Sequence, residues 1–294
     1  MIRKSFLLVG SGGYIAPRHV KAIQAIQGDL LGCVDIKFTK EALEMLPSNT
    51  IKASSIAEFK DQNSQKIDYM VICSPNFLHE EHIKKGLEMG LNIISEKPLA
   101  LDSEGLKRLE IAEAKSSGSI FSILQLRLHP VVQELRELVE SLSKSSHEID
   151  LKYIAKRDSD YFESWKGDLS LSGGLLLNVG VHYFDLLLSI FGDCNDIVLL
   201  DHSNRRSEGS LALEKGKVNW LFSFEEDDIE QYVIPGESAF RTVSVDGQEV
   251  EFSQVAEDLH TESYKKILNN EGYTLNEARR SIELVDLINK TEYE

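Results

Sequence analysis

The chain has 294 residues, of which 42% are hydrophobic and 27% charged, and 32 basic against 48 acidic side chains give it a net charge of -16. This length fits two domains better than one, and the composition is that of a globular protein rather than a disordered or fibrous one. The acidic balance argues against partners that present a phosphate backbone or an anionic membrane surface, so we expect neither nucleic acid nor a membrane as a partner.

The first 126 residues alternate between short apolar runs and helical patterns. The runs are continuous, as in strands covered on both faces. We predict strands at residues 6–9, 30–36, 69–73, 92–94 and 120–126, and helices at 19–26, 42–46, 83–89 and 102–118, the last capped by Asp102 and Gly118. This alternation is typical of βαβ units and predicts an α/β domain built on a parallel sheet.

After residue 150 the pattern changes to a period of two. In the stretch 218–224, Val218, Trp220, Phe222 and Phe224 alternate with other residues, which is typical of an antiparallel sheet. These aromatic residues either form an exposed face that favours self-association or pack beneath a helix. Helices are predicted at residues 178–191, 261–268 and 276–288.

A hairpin is predicted at Asp246-Gly247, between the apolar alternations of residues 243–245 and 250–252. Asp-Gly supplies the positive φ angles that a tight turn requires. We therefore expect an α+β domain with an open, largely antiparallel sheet at residues 124–294, after an α/β domain at residues 1–123.

The cysteines and the apolar segments bear on the compartment. Cys33, Cys73 and Cys194 are widely separated, which predicts neither a disulfide framework nor a metal site. The N-terminal apolar run ends at once in a glycine-rich turn, unlike a signal peptide, and no segment approaches the roughly 20 apolar residues of a membrane span. We expect a cytoplasmic protein.

A glycine-rich turn, Gly10-Ser11-Gly12-Gly13, follows the first predicted strand and precedes a helix. Its backbone N–H groups are placed where a pyrophosphate can meet a helix N-terminus. The third glycine of the usual G-x-G-x-x-G pattern is missing: Ile15 stands at the strict spacing, and Ala16 is the nearest small residue. The turn is either a nucleotide-binding loop or a plain strand-to-helix connection.

Asp35, at the end of the second predicted strand, favours the nucleotide-binding interpretation. A carboxylate at this point can accept both ribose hydroxyls of NAD and would repel the 2′-phosphate of NADP. No arginine follows it, although Lys37 and Lys40 are close enough to leave NADP open. The sequence therefore predicts NAD as the cofactor.

Two further segments carry candidate chemistry. Glu96-Lys97-Pro98 follows a predicted strand, at the edge where parallel sheets bind their ligands, so Lys97 is either a site residue or a solvated loop lysine. On the predicted helix 178–191, a spacing of about 100° per residue places Asn178, His182 and Asp185 on one stripe of an otherwise apolar helix. His182 and Asp185 either line a cleft or satisfy buried groups of the fold.

These motifs, in their order along nearly the whole chain, resemble the glucose-fructose oxidoreductase and inositol dehydrogenase family. The residues that carry the resemblance are Gly10 to Gly13, Asp35, Ser74-Pro75-Asn76 with His79, Glu96-Lys97-Pro98, and Gly173-Gly174 through Asn178 and His182 to Asp185. The resemblance implies a Rossmann domain, an open sheet used for assembly into a homodimer or homotetramer, and a cis Lys97-Pro98 peptide. It implies NAD contacts from Gly10, Gly12, Gly13, Tyr14, Ile15, Asp35, Ser74, Asn76, His79, Glu96, Lys97 and Gln125.

Within that family the sequence is similar to bacterial nucleotide-sugar 3-dehydrogenases that oxidise UDP-N-acetylglucosaminuronic acid (UDP-GlcNAcA) for surface polysaccharides such as O-antigen. The similarity is carried by Gln125 to Pro130, by Arg157 with Tyr161, and by Ser164 to Asp168. It implies substrate contacts from Arg127, Arg157, Tyr161, Trp165, Lys166 and Asn178. Many family members have aspartate at the position of Asn178, and since an amide cannot hold a proton, we expect Asn178 to bond a substrate hydroxyl.

The implied reaction is hydride transfer from C3 of the sugar to NAD, with Lys97 and His182 as catalytic residues. Neutral His182 is a suitable base and the Lys97 ammonium can stabilise the developing alkoxide, although which of them finally holds the proton stays open. The anionic substrate requires local cations; besides the arginines and Lys166, Lys156 is a candidate, and each is equally a solvated surface charge. Relatives also suggest that 2-oxoglutarate reoxidises bound NADH.

Two alternatives remain open. One is another dehydrogenase of the same family, acting on inositol, a free sugar or a different nucleotide sugar. The other is a non-catalytic regulator that binds NAD on the same fold, against which the presence of Lys97 and His182 argues.

Overall fold

The computed structural model describes residues 3–142, 144–250 and 258–291. The chain divides into two compact units. Unit 1 contains the described residues up to Gln125 together with Asp258–Arg279, and unit 2 contains those from Leu126 to Val250 and from Arg280 onward. This differs from the division expected from the sequence, because residues 258–279 return to the first unit.

In chain order, the strands and helices are β1 (Ser5–Val9), α1 (Ala16–Ala25), β2 (Asp29–Val34), α2 (Lys40–Met45), β3 (Ile51–Ala53), α3 (Ile56–Gln62), β4 (Tyr69–Ile72), α4 (Asn76–Glu88), β5 (Asn92–Ser95), α5 (Ser103–Ala114), β6 (Ile120–Ser122), α6 (Pro130–Ser141), β7 (His147–Ala155), α7 (Ser159–Glu163), α8 (Leu169–Ser172), α9 (Val181–Phe191), β8 (Cys194–His202), β9 (Arg206–Leu213), β10 (Gly216–Ser223), α10 (Glu226–Tyr232), β11 (Ala239–Val245), β12 (Gln248–Val250), α11 (Leu259–Leu268) and α12 (Leu275–Ile288). There is also a 3₁₀ helix at Gln125–Leu128 and a π-helix at Leu176–Gly180.

The sheet of unit 1 is parallel, with strand order β3-β2-β1-β4-β5-β6, as the alternating pattern predicts. Every residue of β4 is buried, as expected of a strand covered on both faces. β3 is absent from the sequence prediction because a three-residue strand is too short to show a period, and the seven-residue helix α3 is absent from it as well. The predicted strand at 120–126 ends at Ser122, and α5 ends at Ala114, before the expected cap at Gly118.

Helix α11 belongs to unit 1 because its apolar side is buried there. Tyr264 and Ile267 lie in the same core cluster as Phe6 and Leu8 of β1. The rings of Phe6 and Tyr264 are 6.0 Å apart. The sequence identifies this helix correctly, but nothing in its local pattern indicates which core it joins.

The sheet of unit 2 has the order β12-β11-β7-β10-β9-β8 and is antiparallel except between β7 and β10. The predicted hairpin is confirmed, with Asp246 and Gly247 at φ 51 and 79; residues 251 and 252 lie outside the described part. Trp220 and Phe222 are buried against Phe184 of α9. Of the two alternatives for the aromatic residues of β10, packing beneath a helix is the one observed for these two.

One expectation about apolar segments is wrong. The helical stretch Leu169–Phe191 is long and apolar enough, by length and composition, to cross a membrane. In the structure 72% of its most apolar window is buried, as in the core helix of a soluble protein. The three cysteines are free, as predicted, and Cys33 and Cys73 are buried.

Candidate active site

The glycine turn of unit 1 lies at the point where the strand order reverses. β1 pairs with β2 on one side and with β4 on the other, which makes the carboxyl ends of β1 and β4 the crevice in which open α/β sheets bind ligands. Gly10 has φ +86, and a Cβ on it would lie 2.5 Å from the backbone nitrogen of Ser74. The turn after β1 therefore packs directly on the segment after β4, which only glycine permits.

Asp35 faces the same turn. Its Oδ2 accepts the backbone N–H of Gly12 at 2.7 Å, and its Oδ1 accepts that of Lys37 at 3.0 Å. A carboxylate has about four acceptor positions, so these bonds leave capacity for two ribose hydroxyls. Tyr14 is 84% exposed, and the first turn of α1 carries no acidic residue that would oppose a pyrophosphate. These features fit a bound dinucleotide.

The segment after β4 is held by two histidines of α4. His79 is buried between two carbonyl oxygens, with Nε2 2.7 Å from that of Ser74 and Nδ1 2.7 Å from that of Pro98. The hydroxyl of Ser74 lies 2.9 Å from Nδ1 of His82. Asn76 begins α4 and is buried. Ser74, Asn76 and His79 thus lie together, with His79 bonding backbone.

Glu96 is buried rather than open to the crevice. Its Oε1 lies 3.0 Å from Nε2 of both His19 and His260, and Nδ1 of His19 lies 2.9 Å from the hydroxyl of Tyr264. Burial acts to raise the pKa of Glu96, but the two histidines outweigh it and hold this pKa well below its usual value. His19, His260 and Tyr264 are functional candidates that the sequence analysis missed, since isolated polar residues on amphipathic helices give no pattern.

His19, Glu96 and His260 each offer one atom that could bind a metal ion, and these three atoms all lie within 4.8 Å of one another. Both Nε2 atoms already bond the same carboxylate oxygen. Each of these three atoms therefore already has a hydrogen-bond partner, so the cluster does not require a metal.

Lys97 follows Glu96, and the predicted cis peptide between Lys97 and Pro98 is confirmed. Gln125, at the end of unit 1, has a buried Oε1 with no hydrogen-bond partner among the described residues. A buried acceptor of this kind fits a ligand donor, in keeping with the expected cofactor contact.

Tyr161 is the centre of the candidate substrate residues in unit 2. Its hydroxyl accepts a hydrogen bond of 2.9 Å from Nδ2 of Asn178, and the guanidinium of Arg157 lies 5.1 Å from its ring centre. The ammonium of Lys166 lies 5.7 Å from the same ring and 6.0 Å from that of Trp165. The structure therefore brings together five of the six predicted substrate residues.

A small pocket of about 10 Å³ lies beside this cluster and is lined by Tyr161, Phe162, Lys166 and Phe224, among others. Arg157 also lies over the ring of Phe224, 4.9 Å from its centre, and its Nη2 donates to the hydroxyl of Tyr153 at 2.9 Å. Burial raises the pKa of Tyr161. The cluster is thus an aromatic surface edged by cations, suited to a sugar ring that carries a negative charge.

Arg127 departs from the expected substrate role. Its Nε and Nη2 donate to the two carboxylate oxygens of Asp185 at 2.8 and 2.7 Å, and the two side chains are only 10% and 2% exposed. The positive charge of Arg127, expected from the sequence to bind the substrate, is therefore neutralised by Asp185 within the fold. Lys156, the other cation candidate, is exposed and donates to the carbonyl of Glu237 at 3.0 Å.

The helix that carries His182 is less regular than predicted. Residues Leu176–Gly180 form a π-helical turn, and the α-helix begins at Val181. Asn178 lies in the wide turn, so the regular spacing assumed for Asn178, His182 and Asp185 does not hold along the whole stripe. π-turns occur frequently at functional sites. His182 is half-buried, whereas most of α9 is buried.

The two units match two family models. Residues 4–124 match the oxidoreductase family with an NAD-binding Rossmann fold, and residues 146–212 match the C-terminal alpha/beta domain of that oxidoreductase family. Putative oxidoreductase YteT of Bacillus subtilis (strain 168) is 26% identical over 125 residues, which are 42% of this chain and 29% of that protein. The alignment thus spans less than a third of this curated relative.

Solved structures extend the comparison over almost the whole chain. The WlbA (WbpB) dehydrogenase from Thermus thermophilus is 34% identical, with a TM-score of 0.91 over 99% of this chain and 96% of that chain. That protein was solved with NAD and alpha-ketoglutarate, and with NAD and UDP-GlcNAcA. The WlbA dehydrogenase from Bordetella pertussis shares the fold at 19% identity, with a TM-score of 0.81 over 99% of this chain and 96% of that chain. The chain belongs to the Gfo/Idh/MocA oxidoreductase family.

Proposed function

We propose that this protein is an NAD-dependent dehydrogenase that oxidises the C3 hydroxyl of UDP-GlcNAcA to the 3-keto sugar, in the biosynthesis of bacterial surface polysaccharides such as O-antigen. The observation that carries the proposal is its 34% identity to the Thermus thermophilus dehydrogenase across 96% of that chain, which binds NAD and UDP-GlcNAcA. The cluster around Tyr161 in unit 2 supports it, because an aromatic surface edged by Arg157 and Lys166 suits a sugar with a carboxylate.

NAD would be held by the glycine turn, by Asp35 and by the segment from Ser74 to Asn76. When bound, the nicotinamide supplies the hydride acceptor for oxidation of an alcohol. The positive φ of Gly10 and its close approach to Ser74 support this placement, since they shape the turn at the reversal of strand order. The Asp35 carboxylate favours NAD over NADP because it would repel a 2′-phosphate.

We assign the proton chemistry to Lys97 and His182. The imidazole of His182 would accept the proton of the C3 hydroxyl, and the ammonium of Lys97 would stabilise negative charge on that oxygen. Asn178 would bond a substrate hydroxyl, and its bond to Tyr161 fixes the orientation of the amide. Arg157 is the best match for the uronate, since guanidinium and carboxylate pair bidentately.

We extend the proposal to assembly, location and turnover. We propose a homodimer or homotetramer, as this family's open-sheet domain implies, and a cytoplasmic location. The Thermus thermophilus protein binds alpha-ketoglutarate together with NAD. We propose that 2-oxoglutarate reoxidises NADH in this protein by accepting the hydride and a proton to become 2-hydroxyglutarate, so that one bound cofactor serves successive turnovers.

The test is reduction of NAD by the purified protein with UDP-GlcNAcA, with and without 2-oxoglutarate. UDP-N-acetylglucosamine, which lacks the carboxylate, is the matched control substrate, beside inositol and glucose. We expect turnover of the uronate alone, lost in Lys97→Ala and in His182→Asn. Turnover of another sugar instead would overturn the substrate assignment. Binding of NAD without turnover of any sugar would favour the alternative of a non-catalytic, NAD-binding regulator.

Arg157 tests the substrate assignment within the chain. Arg157→Lys keeps the charge but loses the planar fork, so KM for UDP-GlcNAcA should rise about tenfold, the scale of one charged hydrogen bond. The exposed Lys156→Gln is the matched control and should leave KM within about twofold, since ion pairing at an exposed site contributes little. Equal effects of the two substitutions would contradict the role of Arg157.

A further inference from the structure

Three buried histidines surround the Glu96-Lys97-Pro98 segment of unit 1. His19 comes from α1, His79 from α4 and His260 from α11, and their exposed fractions are 0%, 1% and 2%. His19 and His260 bond the side chain of Glu96, which precedes Lys97. His79 bonds the carbonyl of Pro98, which follows Lys97. Lys97 is therefore fixed to the fold on both sides.

On the first side, the bonds to Glu96 define the protons on the histidines. Oε1 of an ionised carboxylate only accepts, so His19 and His260 both donate from Nε2, each at 3.0 Å. With its proton on Nε2, a neutral His19 accepts at Nδ1 from the Tyr264 hydroxyl at 2.9 Å. The bonds among Glu96, His19 and Tyr264 are satisfied with one negative charge on the carboxylate and a neutral ring at His19. Burial lowers the pKa of His19, in keeping with a neutral ring.

On the second side, His79 connects the ends of two strands. Its ring lies between the carbonyl of Ser74, after β4, and the carbonyl of Pro98, beyond β5, at 2.7 Å from each. Both carbonyls accept, and a neutral imidazole has a single N–H, so the ring donates to one of them at a time. His79 thus packs between the segment that bears Lys97 and the segment that we assign to NAD.

We propose that His19, His79 and His260 are positioning residues for Lys97, with His260 supplied by the C-terminal part of the chain, outside the residues 4–124 that match the NAD-binding family model. The proposal rests on the proposed function, because it concerns the residue to which that function assigns alkoxide stabilisation. Catalytic groups must be held closely, and a misplacement of about 1 Å can cost on the order of 100-fold in rate. The geometry gives Lys97 such restraint through its two sequence neighbours.

The His260 pair of variants separates positioning from packing. His260→Gln keeps an N–H donor near the position of Nε2, whereas His260→Leu fills the space and removes the donor. We expect kcat to fall about tenfold or more in His260→Leu and to be largely retained in His260→Gln. KM for NAD should change less than kcat in both, because neither variant touches the glycine turn or Asp35, although Glu96 and Lys97 are themselves expected NAD contacts.

His147 provides the control for loss of a buried histidine–carboxylate bond. Its ring is 2% exposed and its Nδ1 lies 2.8 Å from Asp246 in unit 2. His147→Leu should lower the melting temperature, as we also expect of His260→Leu, without lowering kcat in the remaining folded enzyme. Equal kcat losses in the two leucine variants would reduce the role of His260 to general stability and overturn the proposal.

A second readout does not depend on any sugar substrate. The rate at which acetic anhydride modifies Lys97, followed by mass spectrometry of its peptide in the intact protein, reports the environment of this amine. The rate should change in His260→Leu and recover in His260→Gln, with Lys156 as the internal reference. An unchanged rate would overturn the proposal even if no sugar is turned over, whereas a changed rate without turnover would leave it standing and reject the proposed function. If the purified wild-type protein contains equimolar zinc and His260→Gln does not, the three residues form a metal site and the positioning proposal is overturned.

Discussion

The pair of Arg127 and Asp185 is a structural element of unit 2 at the scale of single residues. Both side chains are nearly buried and bond bidentately. Removal of one partner from such a pair leaves a buried charge without compensation, which costs about 3 kcal/mol or more. Asp185→Leu should therefore lower the free energy of unfolding in urea by that amount. Arg127→Leu combined with Asp185→Leu should recover most of the loss, and a double variant as unstable as the single one would contradict this account.

His82 gives unit 1 a measurable sensitivity to acid. Burial lowers the pKa of His82 to about 4 in the folded state, from an ordinary value near 6.5. The unfolded chain therefore takes up a proton below about pH 6.5 that the folded chain resists until about pH 4. The contribution of His82 to stability is fully present above about pH 6.5 and is lost as the pH falls toward 4.

The variant His82→Gln tests this linkage. The free energy of unfolding should decline less between about pH 7 and pH 5 in His82→Gln than in the wild type. Some decline remains in the variant, because burial also lowers the pKa values of His19 and His79. Identical pH dependence of the two proteins would show that His82 is not the group responsible.

At the scale of elements, the strand-turn-helix unit around Gly10 depends on a close backbone contact. Gly10→Ala would put a Cβ 2.5 Å from Ser74 N in addition to the cost of φ +86. Gly247 has φ +79, and among the described residues other than its chain neighbours no atom lies within 4 Å of such a Cβ, so Gly247→Ala isolates the cost of the backbone angle, about 1–2 kcal/mol. Gly10→Ala should cost more than this in urea unfolding and should abolish NAD binding measured by calorimetry. Equal costs with NAD binding intact would exclude the contact as the reason for glycine.

Elements with a clear period and a recognisable end can be predicted from the sequence. The Asp102 cap is one example, since its side chain accepts the Gly105 N–H at 2.7 Å, and the Asp246-Gly247 hairpin is another. The π-turn at Leu176–Gly180 cannot be predicted in this way, because nothing in its five residues marks a change of helical pitch before the α-helix that follows. The partner of Arg127 is equally hidden, since a charge on a short 3₁₀ helix gives no sign of what it bonds.

The residues of the candidate site, too, are only partly predictable from the sequence. The glycine turn, Asp35 and the cluster of Asn178 with Tyr161 follow from motifs whose order fixes their place in the fold. The network of His19, His260 and Tyr264 does not, because residues 245 positions apart meet only through the tertiary fold. Pairwise spacing along a chain carries no information about such contacts.

At the scale of the molecule, helix α11 from the C-terminal part of the chain completes the core of unit 1. Tyr264 is fully buried in the core of that unit, where its hydroxyl also bonds His19. Residues 3–125 alone would leave this core surface open to water. At about 25 cal/mol per Å² of apolar surface, loss of a large aromatic and an aliphatic side chain from the core removes several kcal/mol, comparable with the total stability of a domain.

We therefore predict that a fragment of residues 3–125 is unfolded or aggregated and does not bind NAD. The same fragment joined through a flexible Gly/Ser linker to residues 258–279 should fold cooperatively and bind NAD. Circular dichroism during thermal unfolding and calorimetric titration with NAD measure the two properties. A fusion that carries Tyr264→Ala and Ile267→Ala is the matched control, because it keeps the added length but not the buried side chains. Cooperative unfolding and NAD binding by residues 3–125 alone would show that α11 is dispensable, and the Rossmann unit would then be independent of the C-terminal part.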